Sequence, residues 1–386
     1  MTAEAEPTAS ALVQTYATYP FELVRGDGVT LRDTQEREYL DFYGGHAVAI
    51  LGHSPRELAN ALFLQSHELL FYSNAAPIPL RERAARRLVE FAGPPFTQVF
   101  FCNSGTEANE AALKTALKIT GRRKIAALTG AFHGRTLLSL SATDGAAYRQ
   151  DLEAALLPCA RLRPNAVEEL GTLDESIAAV IVEPIQSMAG AVVLERSYLE
   201  ALRLRTRELG AMLVFDEVQT GMGRLGAPFA ANLFQVSPDI LTTAKGLGGG
   251  FPVGATIFSA EVAAQVRPND LGSTFGGGPL ACAAVLSILE SIERRELLAR
   301  VRRVSEVARR RLVVGPVNAV RGEGWLLGLE TGPPAREVYN HLLNQRILTG
   351  TSADAHVLRL LPPLIVEEDK VEILRQALKS WPGGAA

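Results

Sequence analysis

The stretch from Leu213 to Pro252 constrains the fold more than any other part of this 386-residue chain. Met212, Leu213, Val214 and Phe215 form a short, wholly apolar run, which reads as a parallel strand buried on both faces. Such a strand delivers Asp216, Glu217 and Gln219 to its carboxyl end, where open α/β sheets place their ligands. A second apolar run, Ile240-Leu241, leads through Thr242, Thr243 and Ala244 to Lys245, and the chain then enters the glycine tract 246–250. A lysine between an apolar run and a glycine tract is poorly placed for a solvated surface charge. An acid and an amine on neighbouring strand ends suit Schiff-base chemistry. The amine holds an aldehyde, and the acid keeps a ring nitrogen protonated so that the ring accepts electrons.

The same alternation recurs on either side. Apolar runs at 98–101, 124–128, 178–182 and 253–258 are separated by helical patterns, among them 197–209, which stops at Gly210. Strands alternating with helices over 99–258 predict a mostly parallel, doubly wound sheet. After the first of these strands comes Cys102-Asn103-Ser104-Gly105-Thr106-Glu107, at the start of an amphipathic run. Free amides at a helix start make an anion site, and Ser and Thr are also ordinary caps; the residues alone leave both readings of Ser104, Gly105 and Thr106 open. Gly221-Met222-Gly223-Arg224-Leu225-Gly226 matches a dinucleotide-binding pattern letter for letter. That pattern needs its first glycine at the strand–helix turn, whereas here residues 217–220 intervene and Pro228 interrupts the helix, so it reads as a glycine loop.

Before the sheet, residues 1–14 read as a mobile or partner-grasping arm. A hairpin about Gly26-Asp27-Gly28, a strand near 39–42 and helices over 56–70 and 80–91 follow. After it, helices are expected over 280–293, 296–312, 335–345 and 367–379, with strands near 325–330 and 357–361. The domain boundaries drawn from this are 1–44 for an arm and part of a small domain, 45–280 for the large domain and 281–386 for the rest of the small one. A net charge of −3 gives no reason to expect nucleic acid or an anionic membrane as partner. The three cysteines, Cys102, Cys159 and Cys282, are scattered without metal-ligand spacing, and no metal is expected. The first ten residues lack a basic segment and an apolar one, and no apolar run approaches membrane-spanning length, which predicts a soluble cytoplasmic protein.

The strings Asp216–Arg224 and Thr242–Ala255, with Asn103–Ala112 upstream, resemble the pyridoxal-phosphate site of class III aminotransferases, in particular the acetylornithine/ornithine group. The resemblance runs from about Tyr16 to Ile373. It implies the large aminotransferase fold of type I: a doubly wound, mostly parallel sheet domain plus a smaller α+β domain built from both termini. It makes Lys245 the residue that carries the cofactor aldehyde and shuttles protons, and Asp216 the partner of the ring nitrogen. Ser104, Gly105 and Thr106 become the phosphate cradle, Phe132 stacks on the ring, Val218 packs on a ring face, and Gln219 bonds the ring oxygen. Glu183 supports that network. Ser273 and Thr274 reach the phosphate of the neighbouring subunit, which implies a homodimer. Tyr16, His46, Arg135, Met188 and Arg359 make up the substrate-binding set, with both arginines binding carboxylates.

By the same resemblance an acetylornithine-like ω-amino donor gives its amino group to 2-oxoglutarate, in arginine or lysine biosynthesis. Two other readings stay open: a class III enzyme of alanine–glyoxylate, β-amino acid or 4-aminobutyrate type, and a non-catalytic binder on the same fold. The chain departs from the group's pattern twice. Gly278 stands where asparagine is usual. Met188 stands where ornithine-type enzymes carry a glutamate that masks the arginine equivalent to Arg359.

Overall fold

The computed structural model describes residues 11–383; most of the expected arm and the ten residues read for a targeting signal lie outside them. The chain opens with three antiparallel strands, β1 (Leu23–Asp27), β2 (Thr30–Asp33) and β3 (Glu38–Asp41). Helices α1 (Arg56–Glu68) and α2 (Pro79–Ala92) lead to the central sheet. Its strands and principal helices are β4 (Phe96–Cys102), α3 (Gly105–Thr120), β5 (Lys124–Leu128), β6 (Cys159–Leu162), β7 (Ile177–Val182), α4 (Arg196–Leu209), β8 (Met212–Asp216), β9 (Ile240–Thr243) and β10 (Gly254–Ser259). They lie in the order β4-β10-β9-β8-β7-β5-β6. Only β10 runs against the others, pairing antiparallel with both β9 and β4.

The sheet takes this form because its central strands have no polar face. Every residue of β7 and of β8 is buried, as a strand covered by helices on both sides requires. α4 ends where Gly210 adopts the left-handed conformation, at φ 60°, and feeds β8 two residues later. The edge strand β6 follows a region of weak periodicity and was not legible in the sequence.

After the sheet, α5 (Pro279–Arg294) packs across α1 and α2, and α6 (Leu297–Arg311) runs on from it. The last hundred residues supply β11 (Val317–Glu323), β12 (Leu326–Thr331), α7 (Ala335–Asn344), β13 (Ile347–Leu348), β14 (Gly350–Thr351), β15 (Val357–Leu360) and α8 (Glu368–Lys379). Four of these strands form an antiparallel sheet in the order β11-β12-β15-β14. β11 was missed in the sequence because Asn318, Arg321 and Glu323 dilute its apolar alternation. β13 leaves that sheet and pairs in parallel with β3, Ile347 opposite Leu40 and Leu348 opposite Asp41. The first and last parts of the chain thus share one four-stranded sheet.

The glycine string 221–226 is a loop, as its sequence context indicates. No helix opens on it; Gly223 and Gly226 have φ of 84° and 78°. Its Arg224 is fully buried and donates to the carbonyls of Ala47, Trp325 and Pro362, tying this loop to segments from both ends of the chain.

Candidate active site

The carboxyl ends of β7, β8 and β9 and the start of α3 enclose a cavity of about 470 Å³. Asp216 is the last residue of β8, and Lys245 follows β9 by two residues in a tight 3-10 turn with φ 45°. A left-handed lysine is a strained one, and such strain gathers where geometry matters to function. Burial lowers the Lys245 amine from 10.5 to about 8; Asp216 and Glu183 oppose the shift, and Arg359 adds to it. The amine is therefore partly neutral near physiological pH and can act as nucleophile and proton carrier.

Asp216 is gripped from three sides. Its Oδ2 accepts from Asn109 Nδ2 at 2.7 Å and from His133 Nδ1 at 2.8 Å, and its Oδ1 accepts from the Val218 amide at 3.1 Å. Glu183 accepts from the Phe132 amide at 2.9 Å, and its burial raises its pKa.

Ser104 is the N-cap of α3: its hydroxyl accepts from the Glu107 amide at 3.3 Å and donates to Glu107 Oε1 at 3.1 Å. That leaves the amides of Gly105 and Thr106, in the helix's first turn, to face an anion at the cavity. Gly105 has no alternative, since a Cβ there would lie 2.8 Å from both γ-carbons of Val218. Gly134 is equally confined: its φ is 130°, and a Cβ would meet Thr106 Oγ1 at 2.2 Å.

Two arginines lie at different depths. Arg135 is exposed, with its guanidinium 5.5, 5.9 and 5.1 Å from the ring centres of Tyr16, Phe132 and Tyr148. Arg359, on β15, is 2% exposed. It donates to the Thr351 carbonyl (2.7 Å), Ser187 Oγ (3.0 Å) and Tyr43 Oη (3.2 Å), all neutral oxygens. Tyr43 Oη also meets His46 Nδ1 at 2.8 Å. His46 sits in a single left-handed turn, Gly44 to Ala47, with φ between 55° and 68° at all four residues. Such a turn costs about 1–2 kcal/mol at each residue bearing a side chain, here His46 and Ala47.

The aminotransferase class-III family model matches residues 12–381. This chain is a class III aminotransferase. It is 42% identical over 367 residues to the acetylornithine aminotransferase of Methanopyrus kandleri, covering 93% of this chain and 94% of that protein. It is 36% identical over 365 residues to the [LysW]-aminoadipate semialdehyde/glutamate semialdehyde transaminase of Sulfurisphaera tokodaii, with 93% and 94% coverage. Among solved structures, the ornithine aminotransferase of Toxoplasma gondii superposes with a TM-score of 0.88 at 28% identity, over 96% of this chain and 91% of that one. A PLP-bound amine transaminase from an uncultivated Pseudomonas species superposes at 0.87 with 26% identity, over 98% of each chain. The fold is that of the type I aminotransferases.

In this aminotransferase, Tyr16, Ser104, Gly105, Thr106, Phe132, Arg135, Glu183, Asp216, Val218, Gln219 and Lys245 all line the one cavity. Arg359, His46 and Met188 are not among its lining residues. Met188 is half-buried in the turn after Gln186, where its carbonyl accepts from the Ala353 amide at 2.8 Å; the neighbour that reaches Arg359 is Ser187. Ser273 lies apart, accepting from Asn103 Nδ2 at 3.2 Å, and Thr274 is exposed. Sequence reasoning passed over Asn109, His133, Tyr43 and Ser187. Asn109 had a visible signal: it is a polar residue among Ala108, Ala111, Ala112 and Leu113 on the buried face of α3.

Proposed function

We propose that the enzyme binds pyridoxal 5'-phosphate on Lys245 and moves an amino group from an acetylornithine-like ω-amino donor to 2-oxoglutarate, in arginine or lysine biosynthesis. The cavity fits the cofactor group by group. Lys245 offers a buried amine of lowered pKa, and Asp216 an acceptor-only carboxylate. The α3 amides suit a phosphate, and Val218 forms an apolar floor. Gln219 carries a buried amide oxygen that no group among the described residues satisfies. Bound there, pyridoxal phosphate supplies an electron-accepting ring and an aldehyde that exchanges for an amine.

The observation that carries the substrate reading is the pair of arginines at two depths. An ω-amino donor presents its carboxylate several bonds from the reacting nitrogen, which suits Arg135 at the aromatic-lined mouth. A 2-oxo diacid has a carboxylate beside the reacting carbon and another remote from it, which suits Arg359 and Arg135 together. Lys245 moves the proton between the donor's carbon and the cofactor; burial, with a smaller contribution from the charge of Arg359, keeps its amine from protonating too firmly. We further propose a cytoplasmic homodimer whose Ser273 and Thr274 complete the phosphate site of the partner; both lie outside this chain's own cavity. The likeness to acetylornithine and [LysW]-semialdehyde transaminases supports the donor class.

The test is a donor panel of N-acetylornithine, ornithine, 4-aminobutyrate, β-alanine, alanine and glutamate against 2-oxoglutarate, pyruvate and glyoxylate. The highest kcat/KM is expected for N-acetylornithine with 2-oxoglutarate; a higher value for any other pair overturns the assignment.

A further inference from the structure

A polar chain runs from Asp216 through Asn109, at the wall of the cavity, to Thr242 in the sheet. Asn109, on α3, is 1% exposed, and Thr242, on β9, is fully buried. Thr242 Oγ1 donates to Asn109 Oδ1 at 2.6 Å. The other end of the same amide donates from Nδ2 to Asp216 Oδ2 and to the His133 carbonyl, each at 2.7 Å. Two acceptors at one end and a hydroxyl at the other allow the amide one orientation. Rotated by half a turn, it would set its oxygen against a carboxylate and a carbonyl and its NH2 against the hydroxyl.

We infer that Asn109 and Thr242 are positioning residues for the cofactor ring, which they reach through Asp216; this rests on the pyridoxal-phosphate reading of the cavity. A carboxylate has about four acceptor sites. Asn109 and His133 fill both on Oδ2, and Val218 fills one on Oδ1. One site on Oδ1 remains for a ring N–H, at an angle that the Asn109 amide fixes. Thr242 contributes the hydroxyl proton that keeps the amide from turning. Its removal leaves Asn109 Oδ1 without a donor among the described residues, in an interior where an unmet acceptor is costly, and Asp216 loses its fixed direction.

A merely structural polar pair predicts something different, and the ring nitrogen separates the two. Pyridoxamine phosphate lacks the aldehyde, so its affinity for cofactor-free protein reports ring and phosphate contacts without a bond to Lys245. Calorimetric titration of wild type, Thr242→Val and Thr242→Ser would use pyridoxamine phosphate and its analogue with C–H in place of the ring nitrogen. Thr242→Val is expected to weaken pyridoxamine phosphate about tenfold, the worth of one hydrogen bond to a charged group. The analogue should bind wild type and Thr242→Val alike within about twofold, and Thr242→Ser should restore the difference. Should Thr242→Val not fold, Thr242→Cys, which keeps the volume with a weak donor, is read the same way. Equal losses for both ligands, or no loss for either, overturn the positioning role. Wild type that binds neither ligand overturns the reading of the cavity instead.

Discussion

Replacing Met188 with glutamate should shift the enzyme's preference between two kinds of amino donor. Arg359 is 2% exposed, and its three hydrogen bonds among the described residues go to neutral oxygens. A guanidinium has five N–H groups and stays charged, so Arg359 retains both its charge and donors for an incoming carboxylate. Met188 adjoins Ser187, whose hydroxyl touches Arg359, and the premise of the test is that a glutamate at 188 extends to the same guanidinium. A carboxylate there would compete with substrate through a charge-assisted bond of about 1.5–3 kcal/mol, roughly tenfold to a hundredfold. Only donors that place an α-carboxylate on Arg359 meet this competition. Met188→Glu is therefore expected to lower kcat/KM for glutamate or alanine by at least tenfold relative to N-acetylornithine. Stopped-flow measurement of each donor half-reaction gives the ratio directly. An unchanged ratio would refute the reasoning, because Arg359 would then be masked by another group or be no carboxylate site at all.

Lys245 makes two further outcomes measurable. Borohydride treatment of protein loaded with pyridoxal phosphate should fix the label on Lys245, and recovery on another residue contradicts its role. The amine's fall from 10.5 to about 8 means that the folded, cofactor-free protein binds its proton less readily than the unfolded chain. The destabilisation is absent above about pH 10.5, grows as pH falls towards 8, and is complete below that at about 3 kcal/mol. Lys245→Met should accordingly raise the thermal midpoint of the cofactor-free protein at pH 7 but not near pH 10.5, and abolish amino transfer; equal gains at both pH values would count against it. Gly105→Ala puts a Cβ 2.8 Å from Val218, overpacking that costs about 1–3 kcal/mol, and should weaken cofactor retention in equilibrium dialysis. Thr274→Ala should weaken cofactor retention in a dimer; sedimentation showing an active, cofactor-retaining monomer excludes a shared site.

The central strands of the sheet were legible because they have no polar face: runs such as Val180-Ile181-Val182 admit little else between helical patterns. That Asp216 and Lys245 share one cavity was legible for a related reason, since strand ends are where this architecture leaves polar residues exposed to a ligand. Residues that act from remote segments were not. Nothing in the spacing of Tyr43 or Ser187 ties them to Arg359, because their meeting depends on β14, β15 and the left-handed turn coming together in three dimensions. The role of Ser104 was ambiguous for a local reason: a hydroxyl at a helix start serves a cap and an anion equally well, and here it lines the cavity while bonding Glu107 as a cap.

The pairing of β3 with β13 also sets a timetable. During synthesis, the edge of β3 emerges about 300 residues before Ile347 and Leu348, an interval on the order of tens of seconds at ~5–20 residues per second. Until then the first sheet presents an unpaired edge, the feature that invites wrong pairing between chains. Arg359 arrives later still, and the carbonyls of Trp325 and Pro362 that hold Arg224 also come from the end of the chain. The central sheet has all its strands by residue 259, yet the proposed substrate site remains incomplete until nearly the last helix has left the ribosome. A chain released a few dozen residues early would hold Lys245 and Asp216 but lack Arg359, and would leave β3 open to its neighbours.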